Sequence, residues 1–250
     1  MRTVAREGAL LAGGARAILL QIAHPGVGRG VAEHSDFAGR PLDRLRATLT
    51  YVYCVTFGTP EEIEAVAATV TAAHRKVAGT GYRASDPELQ LWVAATLYDT
   101  AILVYEEFFG PLDAAAADRV HEQYAVLGTA LQVPTELWPA DRVAFRVYWE
   151  DMIDSLEVSG DARRVARDLL SASQAPLILK AAMPLNRFLT AAWLPERIRA
   201  QYGIGWDQSR QRRYNQLMTL TRPAYRLLPV PLREAPKTYY LREMRRHLAS

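Results

Sequence analysis

Residues 41–79 read PLDRLRATLTYVYCVTFGTPEEIEAVAATVTAAHRKVAG, and this stretch decides the fold. Pro41 opens a helix at a position where its missing N–H costs nothing. That helix runs to about Val55. Phe57-Gly58-Thr59-Pro60 is a break, and Thr59-Pro60-Glu61-Glu62 restarts a helix with a cap residue, a first-turn proline and acids facing the dipole. The second helix runs to about Ala78 and stops at Gly79. Two helices joined by so short a break are expected to pack as an antiparallel hairpin.

Outward from the hairpin the pattern stays helical. Leu10, Leu11, Ala15, Ile18, Leu19 and Ile22 repeat at three-to-four spacing, which predicts an amphipathic helix over 6–22. The small residues Ala9, Ala12, Gly13 and Gly14 predict close packing against a neighbour. Pro25 ends that helix, and residues 26–40, rich in glycine with Ser35 and Asp36 as cap-like residues, read as a loop. Asp86-Pro87 starts a nearly all-apolar helix that ends near Gly110, expected to be buried and central. Further helices are expected over about 113–131, 141–157, 161–170, 185–202, 206–220 and 236–248. No period-two pattern persists. The fold class is therefore all-α, read as a single domain over 1–250, with residues 185–250 a candidate C-terminal appendage. Residues 171–184 are apolar with two prolines and read as a buried loop.

Composition narrows the function. The chain has 250 residues, half of them hydrophobic, 23% charged, with net charge +3. The basic excess lies mostly in the last fifty residues. It lacks the dense stripe of nucleic-acid binders and reads as a solvated or membrane-facing surface, so peripheral membrane contact stays open. Cys54, the sole cysteine, excludes an internal disulfide, reads as a core residue and fits a reducing, cytoplasmic setting. The N-terminus lacks a secretory pattern, and no apolar run is long enough to span a membrane. Nucleotide, hydrolase and zinc signatures such as GxGxxG, GxSxG and HExxH are absent.

Five histidines remain to carry chemistry. His247 and His121 read as surface residues. His24, before a proline at a helix end, either caps that helix or lines a pocket. His74 is the strongest candidate. It lies sixteen residues after Gly58, and Arg44 fourteen before it. At about 1.5 Å rise per residue the two sit at nearly one height on the hairpin. Arg44 and Thr48 are four apart and share a face. An imidazole opposite a guanidinium and a hydroxyl suits a haem pocket: the ring ligates iron, and the polar pair binds propionates or distal ligands. The bland alternative is a core histidine, an exposed arginine and a packing threonine.

The ordered set Arg44-x-x-x-Thr48 with His74 twenty-six residues on resembles the MpaB oxygenase and rubber oxygenase (latex clearing protein) family. Leu20-Gln21-Ile22-Ala23-His24-Pro25, His34-Ser35-Asp36-Phe37, Phe57-Gly58, His74-x-x-Val77-x-Gly79, Tyr82-x-Ala84-x-Asp86-Pro87, Leu91-Trp92-Val93, Tyr105-Glu106 through Phe109-Gly110, Trp138-Pro139 and Leu194-Pro195 agree in order. The resemblance covers nearly the whole chain. It implies an all-helical fold and haem b, with His74 as the proximal iron ligand and Arg44 and Thr48 as the polar pair. It also implies O₂ activation for oxidation or oxidative cleavage of an apolar substrate. His24 joins the cofactor-binding candidates. Ala47 stands where the rubber enzyme can place a distal lysine and cannot ligate. For the carboxylate base upstream of the arginine, Glu33 and His34 are the candidates. The rubber enzyme's extra segments are missing, so polyisoprene is not the expected substrate. A small or medium hydrophobic metabolite is. Two other readings stay open: a haem-binding protein without turnover, and a metal-free helical module in which Arg44 binds an acidic ligand.

Overall fold

A computed structural model describes residues 1–34, 41–171 and 177–249, and of residues 41–44 and 177–179 the backbone only. The N-terminal region comprises α1 (Arg2–Ala5), a 3-10 turn (Gly8–Gly13), α2 (Gly14–Ala23) and α3 (Pro25–His34). The hairpin is α4 (Pro41–Phe57) and α5 (Pro60–Arg75), followed by a two-stranded antiparallel turn of β1 (Ala78–Gly79) and β2 (Tyr82–Arg83). Then come α6 (Pro87–Phe109), α7 (Ala114–Tyr124), α8 (Val126–Thr129), α9 (Arg142–Ser155), α10 (Gly160–Ser171) and α11 (Leu177–Trp193). The chain continues as α12 (Glu196–Gln201), α13 (Gln208–Leu227), α14 (Val230–Arg233) and α15 (Ala235–Leu248). The architecture is all-α, as the sequence predicts.

The hairpin forms for the reasons its sequence states. Thr59 caps α5, its hydroxyl accepting from the Glu62 N–H while the Glu62 carboxylate accepts from the Thr59 N–H; this reciprocal box satisfies two donors that a helix start leaves open. Asp86 caps α6 in the same spirit, taking the Glu88 N–H at 2.9 Å. Helix α6 is the central element. Trp92, Ala95, Thr96 and Val104 are fully enclosed, and the 3-10 turn, α2 and α13 pack around it. Helix α15 lies along α4, where Tyr240 stacks on Tyr53 with ring centres 5.9 Å apart. Cys54 is a core residue, and burial pushes its thiol up to about 11.

Four expectations need correction. The predicted helix over 6–22 is broken: Gly8–Gly13 winds as a tighter 3-10 turn. A Cβ on Gly13 would come within 2.6 Å of Thr100, so the close packing is real although the helix is not continuous. Residues 26–34 are helical, not loop. The glycines there serve contact: a Cβ on Gly28 would sit 2.5 Å from the Ile22 carbonyl, and one on Gly30 would sit 3.1 Å from the Tyr82 ring. Ser35 and Asp36 lie outside the described residues. His121 is 3% exposed, because the buried face of α7 runs through Ala117, Val120, His121 and Tyr124 at helical spacing. Finally, residues 177–184 belong to α11, with 180–182 and 184 exposed, where the sequence predicts a buried loop over 171–184; residues 172–176 lie outside the described residues. No single described helix is long and apolar enough to cross a membrane.

Arg16 ties the core together. Its guanidinium donates to the Trp193 carbonyl at 2.8 Å, to Thr100 Oγ1 at 2.5 Å and to Asp99 at 2.6 Å. One side chain thus joins α2, α6 and the end of α11, and its charge is matched by a carboxylate, as a buried cation requires.

Candidate functional site

Helix α4 presents Leu45, Thr48, Leu49 and Val52 at spacings of three, four and seven, one face of a helix. That face walls an apolar pocket of about 100 Å³, open to solvent. The opposite walls come from the 3-10 turn, α2 and α6, including Gly14, Ile18, Leu97 and Ala101. Gln21, Thr48 and Thr100 supply most of its polarity. Thr48 is exposed into this space. Gly14 leaves the pocket open at its side, since a Cβ there would meet only Leu45 at 3.8 Å. The lining suits a small hydrophobic ligand held by few polar groups.

A second group of polar residues gathers at the far end of the hairpin. Helix α5 ends at Arg75, delivering His74, half-buried, in its last turn. The β1–β2 turn follows directly and packs on α3, with Arg29 donating to the Thr80 carbonyl at 2.8 Å. There the Tyr82 hydroxyl donates to Glu33 at 2.5 Å and lies 3.1 Å from His34 Nε2. A phenol has one proton, so with Glu33 as its acceptor the His34 ring is the donor, Nε2–H to the Tyr82 oxygen. The bond to Glu33 holds the Tyr82 phenol above its ordinary pKa. The row His34–Tyr82–Glu33 is a chain along which a proton can pass. Tyr82 carries no signal of this role in the sequence beyond its place in the run Tyr82-x-Ala84-x-Asp86-Pro87.

The structure brings Glu33 and His34 together through Tyr82, and it places Thr48 on the pocket wall. His24 starts α3 as a cap: its Nδ1 accepts the Gly26 N–H at 3.2 Å, and burial lowers its pKa against the pull of Asp86 and Glu88. The helix it caps is the following one, through N–H groups. His74, His24, Glu33 and His34 do not line the pocket. Arg44 lies on α4 one turn before Thr48, with its side chain outside the described residues. Among the described residues no three His, Cys, Asp or Glu side chains converge as metal ligands.

Fold and site together define an all-helical domain with an apolar pocket beside one helical hairpin and an acid–base row at that hairpin's end. The chain belongs to the family of ER-bound oxygenase mpaB/B'/rubber oxygenase catalytic domains, whose family model matches residues 1–223. It is 40% identical over 222 residues to an uncharacterised protein of Mycobacterium tuberculosis, covering 85% of this chain and 87% of that one. An uncharacterised protein of Mycobacterium bovis matches to the same extent. No solved structure matches. Membership in an oxygenase family places the chain among oxidoreductases.

Proposed function

We propose that this chain is a haem b-dependent oxygenase that uses O₂ to oxidise or cleave a small or medium hydrophobic molecule. The observation that carries the reading is Thr48: it stands on the wall of a mostly apolar pocket, on the helix paired with the one that bears His74. His74 would hold the iron, and Arg44 and Thr48 would face the cofactor's polar edge or its ligand. A porphyrin brings four nitrogens of its own, so one imidazole is enough from the protein. The haem supplies redox chemistry with O₂ when bound. The chain's own part is to exclude water with Leu45, Leu49 and Val52, to orient an apolar substrate, and to hold a proton on the His34–Tyr82–Glu33 row, with Glu33 as the base.

An absorption spectrum of the purified protein with and without dithionite tests this. A Soret band that shifts on reduction is expected, and His74→Ala should abolish haem retention with helical content unchanged. Stoichiometric haem in the variant would overturn the ligand assignment. O₂ consumption with product by the ferrous protein separates an oxygenase from a haem carrier without turnover.

One observation favours a second reading. His74 is absent from the pocket wall, which suits a metal-free module that takes a hydrophobic ligand beside Thr48. No Soret band after haem supplementation would select that reading over the first.

A further inference from the structure

We propose that residues 220–246 form a membrane-docking face for anionic phospholipid, with Leu227–Leu232 as its inserting tip. The tip joins α13 to α15 and reads Leu227-Leu228-Pro229-Val230-Pro231-Leu232. Its apolar side chains stand in solvent: Leu227 is 83% exposed, Leu232 62%, Val230 45% and Leu228 42%. Leu220, at 72%, is seven residues before Leu227 and so shares its helix face. Scattered exposed apolar residues mean little, whereas a contiguous group marks an interaction surface.

Two further observations point to lipid as the occupant. The first is charge. Residues 221–250 contain seven Lys or Arg against two Asp or Glu, whereas residues 1–220 contain 23 against 25. The whole basic balance of the chain is therefore at this end. Arg242 and Arg246, both exposed, line one groove with Val230, Pro231 and the exposed Tyr239. Glu234, also in that groove, is neutralised by Lys237 and, at 3.6 Å, by Arg6, while the exposed Arg246 reaches Glu243 on its own helix at 3.0 Å. Guanidinium groups flanking an apolar tip match phosphate headgroups above acyl chains, and a tyrosine suits the boundary between them.

The second is the backbone. Lipid offers no hydrogen bonds, so an inserting turn must satisfy its own amides. Pro229 and Pro231 have no N–H. The Leu228 N–H bonds to the Tyr225 carbonyl, those of Leu232 and Arg233 to the Pro229 carbonyl, and that of Glu234 to the Val230 carbonyl. The tip can leave water with one donor, the Val230 N–H, lacking a backbone acceptor.

Flotation of the full chain with phosphatidylcholine vesicles, with or without phosphatidylglycerol, tests the proposal. Binding to the phosphatidylglycerol vesicles, weakened by salt and much weaker on phosphatidylcholine alone, is expected. Arg242→Gln with Arg246→Gln should weaken it about fivefold per arginine removed. Leu227→Glu with Leu232→Glu should abolish it, with helical content and thermal midpoint unchanged because both side chains are in solvent. Val143→Glu, at an equally exposed apolar residue on α9, should bind as the parent does. No binding, equal binding to both vesicle types, or binding that survives the leucine variants would overturn the proposal. So would self-association abolished by those variants without any vesicle binding, which would make a second copy the occupant.

Discussion

Tyr82 donates its hydroxyl to Glu33 across 2.5 Å, joining the β1–β2 turn to the end of α3. Because Glu33 favours the protonated phenol, Glu33→Gln should bring the Tyr82 pKa down toward its ordinary value. Ultraviolet titration of tyrosinate, taken as the difference from Tyr82→Phe, reads this. An unchanged Tyr82 titration would remove Glu33 from the row. If the row moves protons in turnover, Tyr82→Phe should slow O₂ consumption by about 10² to 10⁴-fold, with the spectrum of any bound cofactor unaltered.

Gly13 and Gly14 are neighbours with opposite tolerance. Gly13→Ala drives a Cβ to 2.6 Å from Thr100 and should cost about 1–3 kcal/mol by overpacking. Gly14 opens α2 with φ −57, an ordinary helical angle, and faces the pocket. Gly14→Leu should leave the thermal midpoint unchanged yet block an apolar fluorescent probe from the pocket. Equal probe binding by this variant and its parent would show that the probe sits elsewhere.

Arg16→Met should destabilise the protein by about 3–5 kcal/mol, because Asp99, which burial already pushes above the usual carboxylate range, loses the one cation that opposes that rise. Replacing both ends, Arg16→Met with Asp99→Leu, should recover most of that loss. Urea unfolding of the two variants decides it; a double variant as weak as the single one would mean the ion pair itself holds α2 to α6.

Acid should weaken the fold through His24 and His121. Burial lowers both below the ordinary 6.5, so each stays neutral in the folded state where the unfolded chain takes up a proton. Stability is then full above about pH 6.5 and falls as pH drops through that value toward the folded pKa. His121, enclosed by Tyr98, Trp138 and Phe145, is the more deeply buried. His121→Phe should flatten the decline in urea midpoint between about pH 7 and 5; an identical slope would assign the acid sensitivity to His24 or to the carboxylates.

Much of this was legible beforehand because the signals are local. Proline, threonine and glutamate at 59–62 announce a helix start whatever lies around them, and the Asp86 cap does the same. The unbroken apolarity of 87–109 marked a helix enclosed on all sides. The glycines at 26, 28 and 30 misled because glycine serves both loops and tight contacts, and only the Ile22 carbonyl and the Tyr82 ring show which applies. His121 misled through its acidic neighbours, which point outward from the same turn. The site was legible in part. Arg44 and Thr48 share a helix, and that follows from spacing. The meeting of Tyr82 with Glu33 depends on how the β1–β2 turn docks on α3, which no local pattern encodes.

Glu7 is 2% exposed and receives both Arg233 and Tyr225, partners 226 and 218 residues away. Arg233 and Tyr225 lie beyond the stretch the family model covers. The knot is therefore made of contacts between the two ends of the chain, and folds rich in such distant contacts are slow to form. Until they close, the Glu7 carboxylate has only its neighbour Arg6, at 3.4 Å, to offset its charge. A shortened chain ending at the family boundary would lack both of those partners, its buckle missing.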